Sequence, residues 1–173
     1  MTEEQVVIVD DENQVTGSAP RSIMRRDGLC HRATFIFVFD SDGYLYIQKR
    51  TLSKDVYPGY YDLAAGGVVA EGEDYDTAAA RELSEELGIN DVPLSPRFHF
   101  YYHSDECRLW GKVFTCVYDG LLTLQEEEVA GVIREKPEVV LAEPEKYPYT
   151  PDTLVALERL IHLENDENTS EQE

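Results

Sequence analysis

The sequence predicts an α/β layered domain, and three observations carry that prediction. β-Branched and aromatic runs such as HRATFIFVFD (31–40) recur along the chain as candidate strands. Two segments, 73–88 and 150–164, repeat apolar residues at helical spacing. Strands mixed with helices bury their apolar faces as layers around one core. The length of 173 residues, with 42% hydrophobic and 29% charged content, suits one such soluble domain. It is expected over 1–164, with 1–28 as an N-terminal strand and helix extension.

Taken in order, VVIVD (6–10) reads as a short strand and DENQ as the turn after it. APRSIMRRDG (19–28) reads as a short helix, with Pro20 in its first turn and Gly28 past its end. Residues 31–40, the turn SDG and YLYIQKR (44–50) form an expected hairpin. KDVYPGYYD (54–62) reads as a loop before a short strand, LAAGG. RFHFYYH (97–103) sets Phe98, Phe100 and Tyr102 on one face and His99, Tyr101 and His103 on the other. It pairs in expectation with CRLWGKVFTCVYDG (107–120). In 150–164, Thr150 is the expected N-cap and Pro151 the first helical residue, with Leu154, Leu157, Leu160 and Ile161 on the apolar side.

The net charge of −20 argues against a nucleic-acid polymer as partner, because an acidic surface repels phosphate backbones. A small phosphorylated molecule remains compatible, since a bound divalent cation inverts the local field. There is no long apolar run and no basic signal-peptide start, so the expected location is the cytoplasm, with no membrane partner. A homodimer is compatible with the sequence. Cys30, Cys107 and Cys116 are odd in number and widely spaced, which disfavours disulfides and a structural zinc site. The tail 165–173 has no apolar residue and reads as a disordered acidic segment.

RELSEELG (81–88) concentrates like charge on one helical turn, where such pairs repel by ~0.2–0.5 kcal/mol each. Ala79, Leu83 and Leu87 make an apolar stripe that docks the helix, and Glu82, Glu85 and Glu86 make a second stripe beside it. Arg81 reaches Glu85 at i+4, and Gly88 ends the helix. A solvated acidic face and a cation site both account for the pattern. Were a cation bound, carboxylates without nearby His or Cys would select Mg2+ or Mn2+.

The stretch GVVAEGEDYDTAAARELSEELGI resembles the Nudix box. Gly67, Glu73, Arg81, Glu82, Leu83, Glu85, Glu86, Gly88 and Ile89 fill every fixed place of that motif. The resemblance implies an α/β/α sandwich with a mixed β-sheet and a loop–helix–loop metal site. It also implies metal-dependent hydrolysis of a nucleoside diphosphate linked to another group. Glu82, Glu85 and Glu86 would be the metal ligands, and Arg81 would orient a carboxylate. Gly67 would allow the tight turn before the helix. A carboxylate would take the water's proton: Glu85, Glu86 or one of Glu126, Glu127 and Glu128 in QEEEV, a run that also reads as a solvated turn.

Residues 5–163 are also similar to isopentenyl diphosphate isomerases and their bacterial Nudix relatives, through VDDEN (9–13), IQKRTLSKDVYPGYYD (47–62), CRLWG (107–111) and EEEV (126–129). His31 stands where those isomerases hold a metal ligand. Their Cys-Gly-His segment, however, is matched here by Gly66, Gly67 and Val68, and their Glu after Trp-Gly by Lys112. Without those groups isomerisation is disfavoured. A non-catalytic Nudix-fold binding protein is the other alternative, and the intact box argues against it. Substrate contacts are sought at Lys49, Arg50, Tyr57 and Trp110, each of which also suits ordinary surface charge or packing.

Overall fold

A computed structural model describes residues 3–171, with side chains as far as 167. β1 (Gln5–Val9) and β2 (Val15–Pro20) form an antiparallel pair, followed by α1 (Arg21–Asp27). Then come β3 (His31–Phe39), β4 (Leu45–Arg50), the two-residue β5 (Tyr61–Asp62) and α2 (Tyr75–Leu87). β6 (Ser95–His103), β7 (Arg108–Val117), β8 (Val129–Glu135), α3 (Pro137–Ala142) and α4 (Pro151–Glu171) complete the chain.

The hairpin expected at 31–50 closes only at its turn. Asp40 accepts the backbone N–H groups of Asp42 and Tyr44, and the strands pair at Phe39↔Leu45. From there they part. β3 lies parallel to β7 along its whole length, from His31↔Leu109 to Phe39↔Val117, while β4 runs antiparallel to β8. The expected 97–120 hairpin does form, as β6 against β7.

β3 is buried at nearly every position because both of its faces are covered. Ile36 and Val38 pack with Ala79, Leu83 and Leu87 of α2. Phe35 and Phe37 point the other way, to Ala156, Leu157 and Leu160 of α4. Two helical layers therefore sandwich a mixed sheet. Val6, Met24 and Val68 make a smaller cluster that seats α1.

Several elements depart from expectation. VTGSAP forms β2, a mostly exposed edge strand with a glycine and no alternation to announce it. As a result Pro20 ends a strand and caps α1 from outside its first turn. The residues LAAGG make single bridges to β3, at Ala65↔Ile36 and Val68↔Ala33 for the run and its neighbour, and the named strand is Tyr61–Asp62. β8 and α3 were not anticipated from the sequence either. Residues 165–171, expected to be disordered, continue α4, because adding residues to an existing helix is far easier than starting one. Residues 172 and 173 lie outside the described part. Among the described residues no helix is long and apolar enough to cross a membrane.

Candidate active site

α2 is fixed at both ends. The Asp74 carboxylate accepts the Thr77 N–H at 2.7 Å, and Gly88 closes the helix in the left-handed conformation, at φ 69°. With Ala79, Leu83 and Leu87 buried, the adjacent carboxylates lie against the segment 66–70. Glu86 is only 8% exposed. Its Oε2 accepts the Gly66 N–H at 3.1 Å and the Gln48 side-chain amide at 3.4 Å. Burial first, and then the charge of Glu82, push the Glu86 carboxyl up to about 8. Burial also raises Glu82, against the pull of Arg81. Glu85 is exposed.

Arg81 is anchored differently from the expected i+4 contact. Its principal partner is Glu73, through two parallel bonds of 2.7 and 2.8 Å, and this pairing holds the Glu73 carboxyl below its ordinary range. The remaining nitrogen reaches Glu82 at 3.1 Å and Glu85 at 3.3 Å. Glu73 also accepts the Ala70 N–H at 3.1 Å, so the pair ties the loop to the helix. Gly67 serves close approach rather than the turn. A Cβ there would stand 2.8 Å from Glu82 Oε1, while the positive φ belongs to Gly66 (136°) and Gly72 (84°).

Facing α2 across a groove of about 600 Å3 are Glu127, Glu128 and Lys54. Two of the three glutamates of QEEEV thus line the groove, and Glu126 does not. Lys54 makes a close ion pair with Glu128. Among the described residues no three carboxylates are already gathered at ligating spacing. Arg81 and Lys54 hold Glu82, Glu85 and Glu128 instead. The donor set nevertheless suits a hard divalent cation. Glu82 raises the buried Glu86, Glu85 raises the half-buried Glu82, and a cation would relieve that repulsion.

A deeper pocket of about 100 Å3 opens from the groove past Gly66, Gly67, Arg21 and Lys54. Arg50 and Tyr57 line it. The Arg50 guanidinium bonds Asp62 at 2.6 Å and the Val56 carbonyl at 3.1 and 2.8 Å, bracing the loop 51–60. Lys49 and Trp110 line neither cavity. Strand alternation explains both: Gln48 and Arg50 face the site and Lys49 faces away, toward the Tyr61 ring. Leu109 likewise faces the pocket, whereas Trp110 turns to Tyr101 and donates to the Asp11 carbonyl at 3.1 Å. His31 is buried at the pocket, its Nδ1 3.3 Å from the Leu29 carbonyl, and burial beside Arg25 pushes it down to about 4.

Residues 30–154 match the NUDIX domain family. The chain belongs to the Nudix hydrolase family. PA4841 of Pseudomonas aeruginosa, named an uncharacterized Nudix hydrolase, is 49% identical over 154 residues, covering 89% of this chain and 91% of its own. YfcD of Escherichia coli K12, named likewise, is 45% identical over 154 residues, covering 89% and 84%. In fold, the crystal structure of DR0079 from Deinococcus radiodurans superposes with a TM-score of 0.79 at 23% identity, over 90% of this chain and 98% of that one.

This Nudix hydrolase also carries site residues that the sequence reading did not select. Arg21 and Arg25 come from α1, Lys54 from the loop after β4, and Asp62 and Asp152 from β5 and the start of α4. Arg21 and Arg25 each lie 3.5 Å from Asp55. Their one sequence signal is composition: the chain has 15 basic residues, and four of them meet in this pocket.

Proposed function

We propose that this Nudix hydrolase cleaves a diphosphate linkage in a small phosphorylated compound, using Mg2+ or Mn2+ held by Glu82, Glu85 and Glu86. The observation that carries the reading is the carboxyl pair of buried Glu86 and half-buried Glu82, set against the Gly66–Gly67 backbone at the edge of an open groove. When bound, the cation would neutralise charge on the diphosphate and acidify water. Arg81 holds two of the carboxylates while itself locked to Glu73, so the donors are oriented before a ligand arrives. Lys54 and Arg21, at the passage between the two cavities, suit phosphate oxygens.

The water's proton passes to a groove carboxylate that is free to accept it. Glu127 is that group, since it lines the groove and makes no ion pair among the described residues, whereas Glu85 on the helix is tied to Arg81 at 3.3 Å. The test is a screen of nucleoside diphosphate conjugates and simple diphosphate esters with Mg2+ or Mn2+, reading phosphate products. Glu86→Gln should weaken cation affinity and lower turnover by at least a hundredfold while the protein stays folded. Unchanged cation affinity by calorimetry in that variant would sink the assignment.

A further inference from the structure

The deep pocket is a short step from the groove, because Gly66 and Gly67 border both. A group joined to a diphosphate in the groove therefore reaches it. At about 100 Å3 it is far smaller than the groove at about 600 Å3, so of the two cavities it is the one that suits a compact group.

The charges around that space are almost all spoken for. Arg50 pairs with Asp62, Lys54 with Glu128, and Arg21 and Arg25 share Asp55. The Thr150 hydroxyl donates to Asp62 at 2.8 Å. Arg25 keeps a buried Nε without a hydrogen-bond partner, and Asp152 is the one pocket carboxylate without an ion pair among the described residues. It accepts only from backbone N–H groups of its own turn, including Thr153 at 3.0 Å. Its place in the first turn of α4 accounts for a carboxylate there, through the helix dipole, but not for one that also lines the pocket. Burial and the nearby Asp62 push its carboxyl up to about 6, so it is still charged at neutral pH. A half-buried carboxylate at the pocket wall, with acceptor capacity that no side chain uses, is placed to take a donor from a ligand.

We propose that Asp152 is a specificity residue for the leaving or retained group of the substrate, selecting a compact group that ends in a hydrogen-bond donor, a hydroxyl or an ammonium. The inference rests on the diphosphate-hydrolase reading above. A purely hydrocarbon group would fill the same space but leave Asp152 unanswered, and sites built around a buried polar partner discriminate strongly against analogues that lack it.

Three matched probes test this: propyl, 3-hydroxypropyl and 3-aminopropyl diphosphate, each with Mg2+. Binding is read by calorimetry and turnover by phosphate release. The wild type should bind at least one donor-bearing probe tenfold or more tighter than propyl diphosphate, and whichever is favoured identifies the donor. Asp152→Ala should bring the three within about threefold of one another. Asp152→Asn, nearly isosteric and able to keep the Thr153 contact, should retain a hydroxyl preference and lose an ammonium preference. Thermal melts establish that both variants are folded. Equal affinities in the wild type, no binding of any probe, or an undiminished preference in Asp152→Ala would each overturn the proposal. Donor preference without phosphate release would leave it standing and remove the hydrolase reading. Equal turnover of all three would do the reverse.

Discussion

His31 and Asp152 line the same deep pocket and respond to pH in opposite senses. His31 has a folded-state pKa of about 4 against an ordinary 6.5, so between those values the unfolded chain binds the extra proton. Its contribution to stability is complete above pH ~6.5 and is lost as the pH falls toward 4, on the order of 2–3 kcal/mol. Asp152 and Glu86, both raised, gain in folded stability over the same descent and so mask the effect in the wild type. The informative quantity is therefore a difference. The stability of wild type minus that of His31→Gln should shrink by about that amount between pH 7 and pH 4 in chemical denaturation. A constant difference across that range would show that His31 is not held neutral by burial. At this scale the sequence was legible where spacing within one helix carries the information. Glu82, Glu85, Glu86 and Arg81 could be picked out because four residues on adjacent turns share a face. Arg21, Lys54 and Asp152 could not, since nothing local says that α1, a loop and the start of α4 converge.

Among the elements, α2 was the easiest to read, because its caps and apolar stripe agree with each other. β2, β8 and α3 were hard for a shared reason: each is short and only partly covered, so burial imposes no clean period on the residues. The outer end of α4 teaches the converse. Its inner turns are anchored by Ala156, Leu157 and Leu160, whereas residues 165–167 are exposed. The contact between His162 and Asp166, at 3.9 Å with both side chains largely exposed, is of the kind that contributes little. Deleting the chain from residue 165 onward should leave unfolding stability within ~0.5 kcal/mol and phosphate release unchanged. A clear drop in melting temperature would mean that the outer turns of α4 support the core.

For the molecule as a whole, family membership and likeness of fold leave the chemistry to be argued from the site. The isomerase resemblance is the sharpest case. At Gly66 φ is 136°, and a Cβ would lie 2.1 Å from the Thr34 carbonyl oxygen, so no cysteine fits there without moving backbone. Val68 is buried in the cluster with Val6 and Met24, and the Lys112 ammonium is paired with Asp76 at 2.8 Å. None of the three supplies an acid or a base to the groove. Incubation with isopentenyl diphosphate and Mg2+ should therefore yield no dimethylallyl diphosphate. Its formation at an enzymatic rate would refute the reading of this pocket.

The parting of β3 from β4 bears on how the chain reaches this state at all. A hairpin that stayed zipped would form early, from neighbours in sequence. Here β3 has only the Phe39↔Leu45 pair with β4, and its long parallel partner, β7, lies about 80 residues further on. On the ribosome, at roughly 5–20 residues per second, this central strand waits several seconds or more for its mate. Throughout that interval Phe35, Ile36, Phe37 and Val38, buried in the fold, lack the partner strand that pairs with them. The strand that later joins both layers of the sandwich is thus one that synthesis leaves long without its mate, and chaperone demand should track the length of that wait.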